Sequence, residues 1–93
     1  RVIVANNNHY GTIRYHQEVH FPTRDHYATN LVNPDFAKYG ESFGLKCFTI
    51  NNTEEILTTI KSAMEVDGPS LIEFKMSLEL NTSTTTISQL QTN

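Results

Sequence analysis

The chain has 93 residues, 38% of them hydrophobic, which allows one small domain with a modest core. A formal net charge of −3, with Arg1, Arg14, Arg24 and four scattered lysines, offers no basic surface to nucleic acid. A single cysteine, Cys47, excludes an internal disulfide, and no apolar run approaches the length of a membrane span. The apolar residues 2–5 are too short for a signal peptide, because Asn6 follows at once. These features predict a soluble, cytoplasmic α/β segment with neither a nucleic-acid nor a membrane partner.

Arg1 leads straight into Val2, Ile3, Val4 and Ala5, a continuous apolar run of the kind found in strands buried on both faces of a parallel sheet. A core-type strand at residue two predicts that the chain begins inside a larger domain. Asn6, Asn7 and Asn8 stop the strand, being poor strand and helix-interior residues. From Tyr10 to about His20, Ile13, Tyr15 and Val19 line a short helical stretch, and residues 21–32 read as a loop.

Asn33 is placed to cap a helix, with Pro34 at its first position and Asp35 at its positive end. Phe36, Tyr39, Gly40 and Phe43 then share one helical face, read as a core face, and Gly44 is the stop. Residues 46–50 alternate as a strand. Thr53 is placed to cap the next helix, with Glu54 and Glu55 in its first turn and Ile56, Leu57, Ile60, Ala63 and Met64 as its apolar stripe. Asp67, Gly68 and Pro69 end that helix, and residues 71–76 form a third strand. The order strand, helix, helix, strand, helix, strand predicts a parallel sheet with packed helices. Residues 81–93 are a polar tail with a final helical turn around Ile87 and Leu90.

In open parallel sheets, ligands bind beyond the carboxyl ends of strands, which is where the three asparagines stand. An asparagine offers a neutral side-chain oxygen, and a hard cation such as Mg2+ takes oxygen ligands from protein, phosphate and water. An asparagine there, with a nearby backbone carbonyl, can complete a Mg-diphosphate site; a plain polar turn is the other reading. His16 and His20 share a helical face, but H-Q-E-V-H is not the zinc-protease pattern, because the glutamate does not follow the first histidine. A small metal-binding module using His9, His16 and His20 is one alternative, and a non-catalytic α/β interaction domain is another. Cys47, inside a strand, reads as an inert thiol. Arg14 can meet a ligand or pair with Glu18 one turn on.

The longer pattern narrows this. The stretch VIVANNNHYGTIR at residues 2–14, followed by His16, Gln17 and Glu18, resembles the thiamine diphosphate enzymes of the acetolactate synthase and benzoylformate decarboxylase type. That family has an apolar strand ending in Asn-Asn, then Tyr-Gly and an arginine. Asn33-Pro34-Asp35-Phe36, Thr53-Glu54-Glu55 and Asp67-Gly68-Pro69-Ser70-Leu71-Ile72-Glu73 match in type and order, and Thr84 to Ser88 is similar to the family's C-terminal segment. The resemblance covers nearly the whole chain.

It implies that residues 1–80 are the C-terminal part of a thiamine diphosphate-binding domain of the diphosphate-binding type, with residues 81–93 as a tail running to the enzyme's own end. It implies thiamine diphosphate and Mg2+ as cofactors. Aligning Tyr10-Gly11 with the family's Tyr-Gly makes Asn6-Asn7 the asparagine pair, so Asn7 is the implied Mg2+ ligand through its side chain and His9 through its backbone carbonyl. Asn8 stands where many members have glycine, which suits asparagine if the backbone angle is one it tolerates. Tyr10, Gly11, Thr12 and Ile13 border the cofactor, with Ile13 shaping the pocket for a 2-oxo acid side chain.

The implied reaction is decarboxylation of a 2-oxo acid, with or without ligation to a second carbonyl, in a homodimer or homotetramer whose active site lies between subunits. The family's Gly-Asp-Gly metal aspartate and its activating glutamate are absent from the chain. Thr12-Ile13 and Tyr15-His16 stand where biosynthetic acetolactate synthases tend to have Met-Val and Gln-Trp, which widens the reading to other 2-oxo acid decarboxylases and ligases. The 93 residues alone are therefore expected to turn over no 2-oxo acid and to hold the cofactor weakly or not at all, since two ligands leave the cation under-coordinated. Assaying CO2 release by the isolated chain checks this, and measurable turnover contradicts it.

Overall fold

The computed structural model describes residues 1–79 and 86–91. Of the polar tail, residues 81–85 and 92–93 lie outside the described residues. The chain divides into two compact units, one made of Arg1–Asn6 with Asn33–Lys75, the other of Asn7–Val32 with the described residues from Met76 onward.

The first unit is the α/β layer structure that the alternating pattern predicts. Its strands are β1 (Val2–Asn6), β2 (Lys46–Ile50) and β3 (Ser70–Lys75), all parallel and ordered β1-β3-β2. Val2 pairs with Leu71 and Asn6 with Lys75 on one side of β3; Lys46 pairs with Ser70 and Ile50 with Phe74 on the other. Parallel neighbours need a crossover, and a 3-10 turn (Thr53–Glu55) followed by the helix Ile56–Met64 supplies it between β2 and β3. Side chains alternate across the sheet. Ile50, Ile72 and Ala63 form a buried cluster, with Phe48, Phe74, Ile56 and Ile60 packed against it, so this helix covers one face.

The other face takes the short helix Phe36–Glu41. A Cβ built on Gly40 would lie 2.6 Å from Cys47 Sγ and 3.3 Å from Leu71 Cδ1. Only a residue without a side chain lets this helix come so close. Burial, and then the Glu41 charge, push the Cys47 thiol above its ordinary range, so Cys47 stays protonated as an inert thiol should.

Several local expectations are corrected. The apolar residues 2–5 do form a strand, but within this chain it is not buried on both faces: β1 is an edge strand of the three and Ile3 is 65% exposed. Composition marks a strand as apolar without saying which strand is central. Asn33 does not cap the helix. Asp35 does, its carboxylate accepting from the Lys38 N–H at 3.1 Å, while Asn33 donates its amide to Asn6 Oδ1 at 2.8 Å. Thr53 is likewise inside the 3-10 turn that Asn52 caps, by accepting from the Glu55 N–H. The Phe36, Tyr39 and Phe43 stripe is not a core face throughout: Tyr39 and Phe43 are exposed, Phe43 by 69%, and meet edge-to-face at 5.2 Å. Leu57 and Met64 are exposed too. A six-residue helix ends before Phe43, so the helical spacing no longer carries that ring inward.

One buried carboxylate organises the strand ends. Glu73 is 3% exposed and accepts from Asn6 Nδ2 at 2.8 Å, while Asn6 Oδ1 accepts from Asn33. Arg1 donates to the carbonyls of Met64, Val66 and Gly68, satisfying groups left over where the helix Ile56–Met64 ends.

The second unit holds α1 (Gly11–His20), where the weak periodicity from Tyr10 to His20 predicts a helix. Numbering helices in chain order makes the two above α2 (Phe36–Glu41) and α3 (Ile56–Met64), and the last is α4 (Ile87–Gln91), at the expected final turn. Gln91 Nε2 donates to the Glu18 carbonyl at 2.7 Å.

Adding a methyl group at residue 40 tests the close approach of α2. Gly40→Ala is expected to lower stability by about 1–2 kcal/mol despite alanine's better helix propensity, because Cys47 Sγ must move. Cys47→Ala in the same chain removes the obstacle, so denaturant melts should show the double variant more stable than the sum of the two losses.

Candidate functional site

Asn7, His9, Tyr10, Gly11, Thr12 and Ile13 occupy one continuous stretch of the second unit: a loop and the first turn of α1. Asn7 and His9 fix each other. Asn7 Oδ1 accepts from the His9 backbone N–H at 3.1 Å, and His9 Nδ1 lies 2.7 Å from the Asn7 carbonyl. A carbonyl only accepts, so this contact is a hydrogen bond in the tautomer that carries a proton on Nδ1. Between them Asn8 takes φ +61°, the left-handed region where asparagine substitutes for glycine most readily.

The Asn7 amide rests against the start of α1. A Cβ on Gly11 would stand 2.8 Å from Asn7 Nδ2 and 3.9 Å from its Cγ. The absence of a side chain at residue 11 is thus what leaves room for the amide. Its oxygen uses one lone pair on His9 N–H, and an amide oxygen has a second. The His9 carbonyl accepts no backbone hydrogen bond among the described residues. Two neutral oxygens are therefore presented by one short loop.

The helix that follows starts without a side-chain cap. Tyr10 is its N-cap residue, makes no capping bond, and the first turn holds no acidic residue. The amides of Gly11, Thr12 and Ile13 are among the donors that a helix leaves unpaired at its start, where the helix dipole also favours negative charge. Thr12 and Ile13 are exposed there.

A segment that reads in the sequence only as loop completes the arrangement. The Tyr10 N–H donates to the Thr29 carbonyl at 2.9 Å and the Leu31 N–H to the Asn8 carbonyl at 2.8 Å, pairing His9 with Asn30 in an antiparallel bridge. Thr29 is 2% exposed. Nothing in local periodicity marks residues 29–31, because a bridge is made between segments some twenty positions apart.

Arg14 resolves to the pairing reading: its Nε donates to Glu18 Oε1 at 2.9 Å. His16 and His20 are exposed and stack on each other at a ring separation of 5.6 Å. Among the described residues no three His, Cys, Asp or Glu side chains are grouped to hold a metal, so the histidine module finds no ligand set there. No helix among them is long and apolar enough to cross a membrane.

Comparison with known proteins gives the chain its family. Residues 1–74 match the model of the thiamine pyrophosphate enzyme, C-terminal TPP binding domain. The acetolactate synthase large subunit of Porphyra purpurea is 32% identical over 74 residues, and that of Pyropia yezoensis 34% over 74; each alignment covers 78% of this chain and 12% of the relative. The mitochondrial acetolactate synthase catalytic subunit of Saccharomyces cerevisiae is 29% identical over 76 residues, covering 82% of this chain and 11% of its own. The chain thus spans about an eighth of the length of these relatives. The oxygen donors of the loop and the open helix start fit a diphosphate held with a hard cation, and the family implies thiamine diphosphate with Mg2+. The chain belongs to the C-terminal TPP-binding domain family of the thiamine pyrophosphate enzymes.

Proposed function

We infer that this segment anchors the Mg-diphosphate end of thiamine diphosphate in an enzyme that decarboxylates 2-oxo acids, with or without ligation to a second carbonyl. The observation that carries the reading is the locked Asn7 amide, held between the His9 N–H and the bare Cα of Gly11 beside an uncapped helix start. Asn7 Oδ1 and the His9 carbonyl would supply two of the roughly six oxygens that Mg2+ takes. Neither carries charge, so the cation's charge remains available to the diphosphate. The Gly11, Thr12 and Ile13 amides would face phosphate oxygens, as helix starts commonly do. Tyr10 would border the cofactor, and the exposed Ile13 side chain would contact the aliphatic part of the substrate.

Thiamine diphosphate, when bound, supplies the nucleophilic carbon that makes decarboxylation of a 2-oxo acid feasible. The protein's share is to bind and orient. An acidic metal ligand and the group that activates the cofactor would come from residues outside this chain. As parts of the same reading, residues 1–80 belong to the cofactor domain and residues 81–93 form its polar tail, in a homodimer or homotetramer. Composition supports a cytoplasmic location for this protein, and one of the relatives it matches is a mitochondrial protein.

Removing the ligand oxygen tests this. In the whole protein that carries this chain, Asn7→Ala is expected to raise the Mg2+ concentration for half-maximal cofactor retention about tenfold or more, or ~1.4 kcal/mol. Gly11→Ala, whose Cβ would displace the amide, is expected to shift it the same way by less. Equilibrium dialysis of thiamine diphosphate against graded Mg2+ measures both, and an Asn7→Ala curve that overlays the unsubstituted one counts against the assignment.

A further inference from the structure

We propose that Arg14 is a positioning residue for the metal loop: it clamps Thr29 and Asn30 so that their backbone bridge holds the His9 carbonyl in place. The proposal rests on the metal reading above and adds the group that sets the loop's geometry.

Arg14 makes three directed contacts, and each has a structural partner. Nε donates to Glu18 Oε1 at 2.9 Å, one turn along α1, which orients the planar guanidinium. Nη1 then donates to Asn30 Oδ1 at 2.7 Å and to Thr29 Oγ1 at 3.3 Å. Both lie in the segment whose backbone meets the loop: Thr29 accepts from the Tyr10 N–H, Leu31 donates to the Asn8 carbonyl, and Asn30 between them is the bridge partner of His9. The Arg14 side chain is only 16% exposed and its bonds to Glu18 and Thr29 are partly buried, while the bond to Asn30 lies at an exposed residue.

The same segment needs restraint. Ala28 sits at φ +58°, a left-handed conformation that an alanine has no side chain to stabilise. Gln17 brackets the kink, its Nε2 donating to the Tyr27 carbonyl at 3.0 Å and its Oε1 accepting from Thr29 Oγ1 at 3.0 Å. Arg14 and Gln17 are three apart on one face of α1, and together they tie residues 27–30 to the helix whose first turn carries Gly11. A guanidinium so engaged acts on the loop through Thr29 and Asn30, and is a positioning group with no need to touch diphosphate.

The test uses Arg14→Ala, Arg14→Lys, Asn30→Ala and the Arg14→Ala/Asn30→Ala pair in the whole protein, with Asn7→Ala as reference. Two readouts are taken: amide hydrogen exchange at Tyr10 and Leu31 without cofactor, and the Mg2+ concentration for half-maximal thiamine diphosphate retention. Arg14→Ala is expected to speed exchange at both amides and to raise the Mg2+ requirement about tenfold, the scale of losing a group that orients a ligand. Arg14→Lys should recover part of this, since a compact ammonium keeps the charge but lacks the planar fork that reaches Glu18 and Asn30 from separate nitrogens. The double variant should be no worse than the more severe single, within about twofold, because Asn30→Ala removes a contact that Arg14→Ala has already broken. An unchanged Mg2+ requirement in Arg14→Ala, beside a raised one in Asn7→Ala, overturns the proposal. Effects of Arg14 and Asn30 that multiply in full also overturn it, in favour of direct contact with the cofactor. If Asn7→Ala itself titrates like the unsubstituted protein, the metal reading fails and this proposal falls with it.

Discussion

In the sheet, β1 and β2 have no common bond and meet only through β3. β3 arrives last of the three in the chain, yet it must pair on both edges, with Leu71 facing Val2 on one side and Cys47 on the other. The β1 pairing closes a loop of some seventy residues. Its closure entropy grows only slowly with length, but it has to be offset before any long-range contact contributes. Apolar burial concentrated in β3 provides that offset: Leu71 and Ile72 are buried side by side, and Glu73 follows them inside. A charged residue in that run is tolerable because Asn6 donates to it from the adjacent strand and Asn33 in turn donates to Asn6. A buried polar group left without such a partner costs about 1–3 kcal/mol. The three side chains therefore specify how β1 pairs at its carboxyl end, which apolar packing alone would leave looser.

The second unit is held by other means. No residue of α1 is fully buried; Ile87 of the neighbouring α4 is, and directed hydrogen bonds add to that packing: the reciprocal Asn7–His9 pair, the His9–Asn30 bridge, and the Arg14–Glu18 and Gln17–Thr29 contacts. This suits a binding loop. Hydrogen bonds fix direction where hydrophobic packing fixes only proximity, and a metal site needs oxygens aimed at one point. Left-handed backbone at Asn8 and Ala28 flanks the bridge on its two strands, a cost of order 1–3 kcal/mol each where it is not relieved by the side chain. Asparagine relieves part of it. Alanine does not, and the contacts from Gln17 and Arg14 surround that position.

What the sequence reveals follows the range of each signal. The strand and helix order, the parallel class and the family resemblance are carried by periodicity and by local motifs, and the family match covers residues 1–74. The placement of Asn8 as a stand-in for glycine is legible because a single residue's backbone preference decides it. Cap identities are less so. Asn33 and Asp35 both suit a helix start, and the choice turns on Asn6, twenty-seven residues away, taking the Asn33 amide. Exposure is the least legible of all. An apolar stripe gives an angle around a helix, whereas the burial of Tyr39, Phe43, Leu57 or Met64 depends on what lies over it. Residues 29–31 show the same limit at the candidate site: their hydrogen bonds to Asn8 and Tyr10 exist only once the chain has turned back.

As proposed above, Asn7 and His9 would present two neutral oxygens to a cation bound with a diphosphate. Determining the structure of the whole protein with thiamine diphosphate and Mg2+ bound measures this most directly. The expected result is Mg2+ bonded directly to Asn7 Oδ1 and to the His9 carbonyl oxygen, at the roughly 2.0–2.1 Å that Mg–oxygen contacts take. A cation coordinated without either oxygen, or with Asn6 or Asn8 in the place of Asn7, would contradict it.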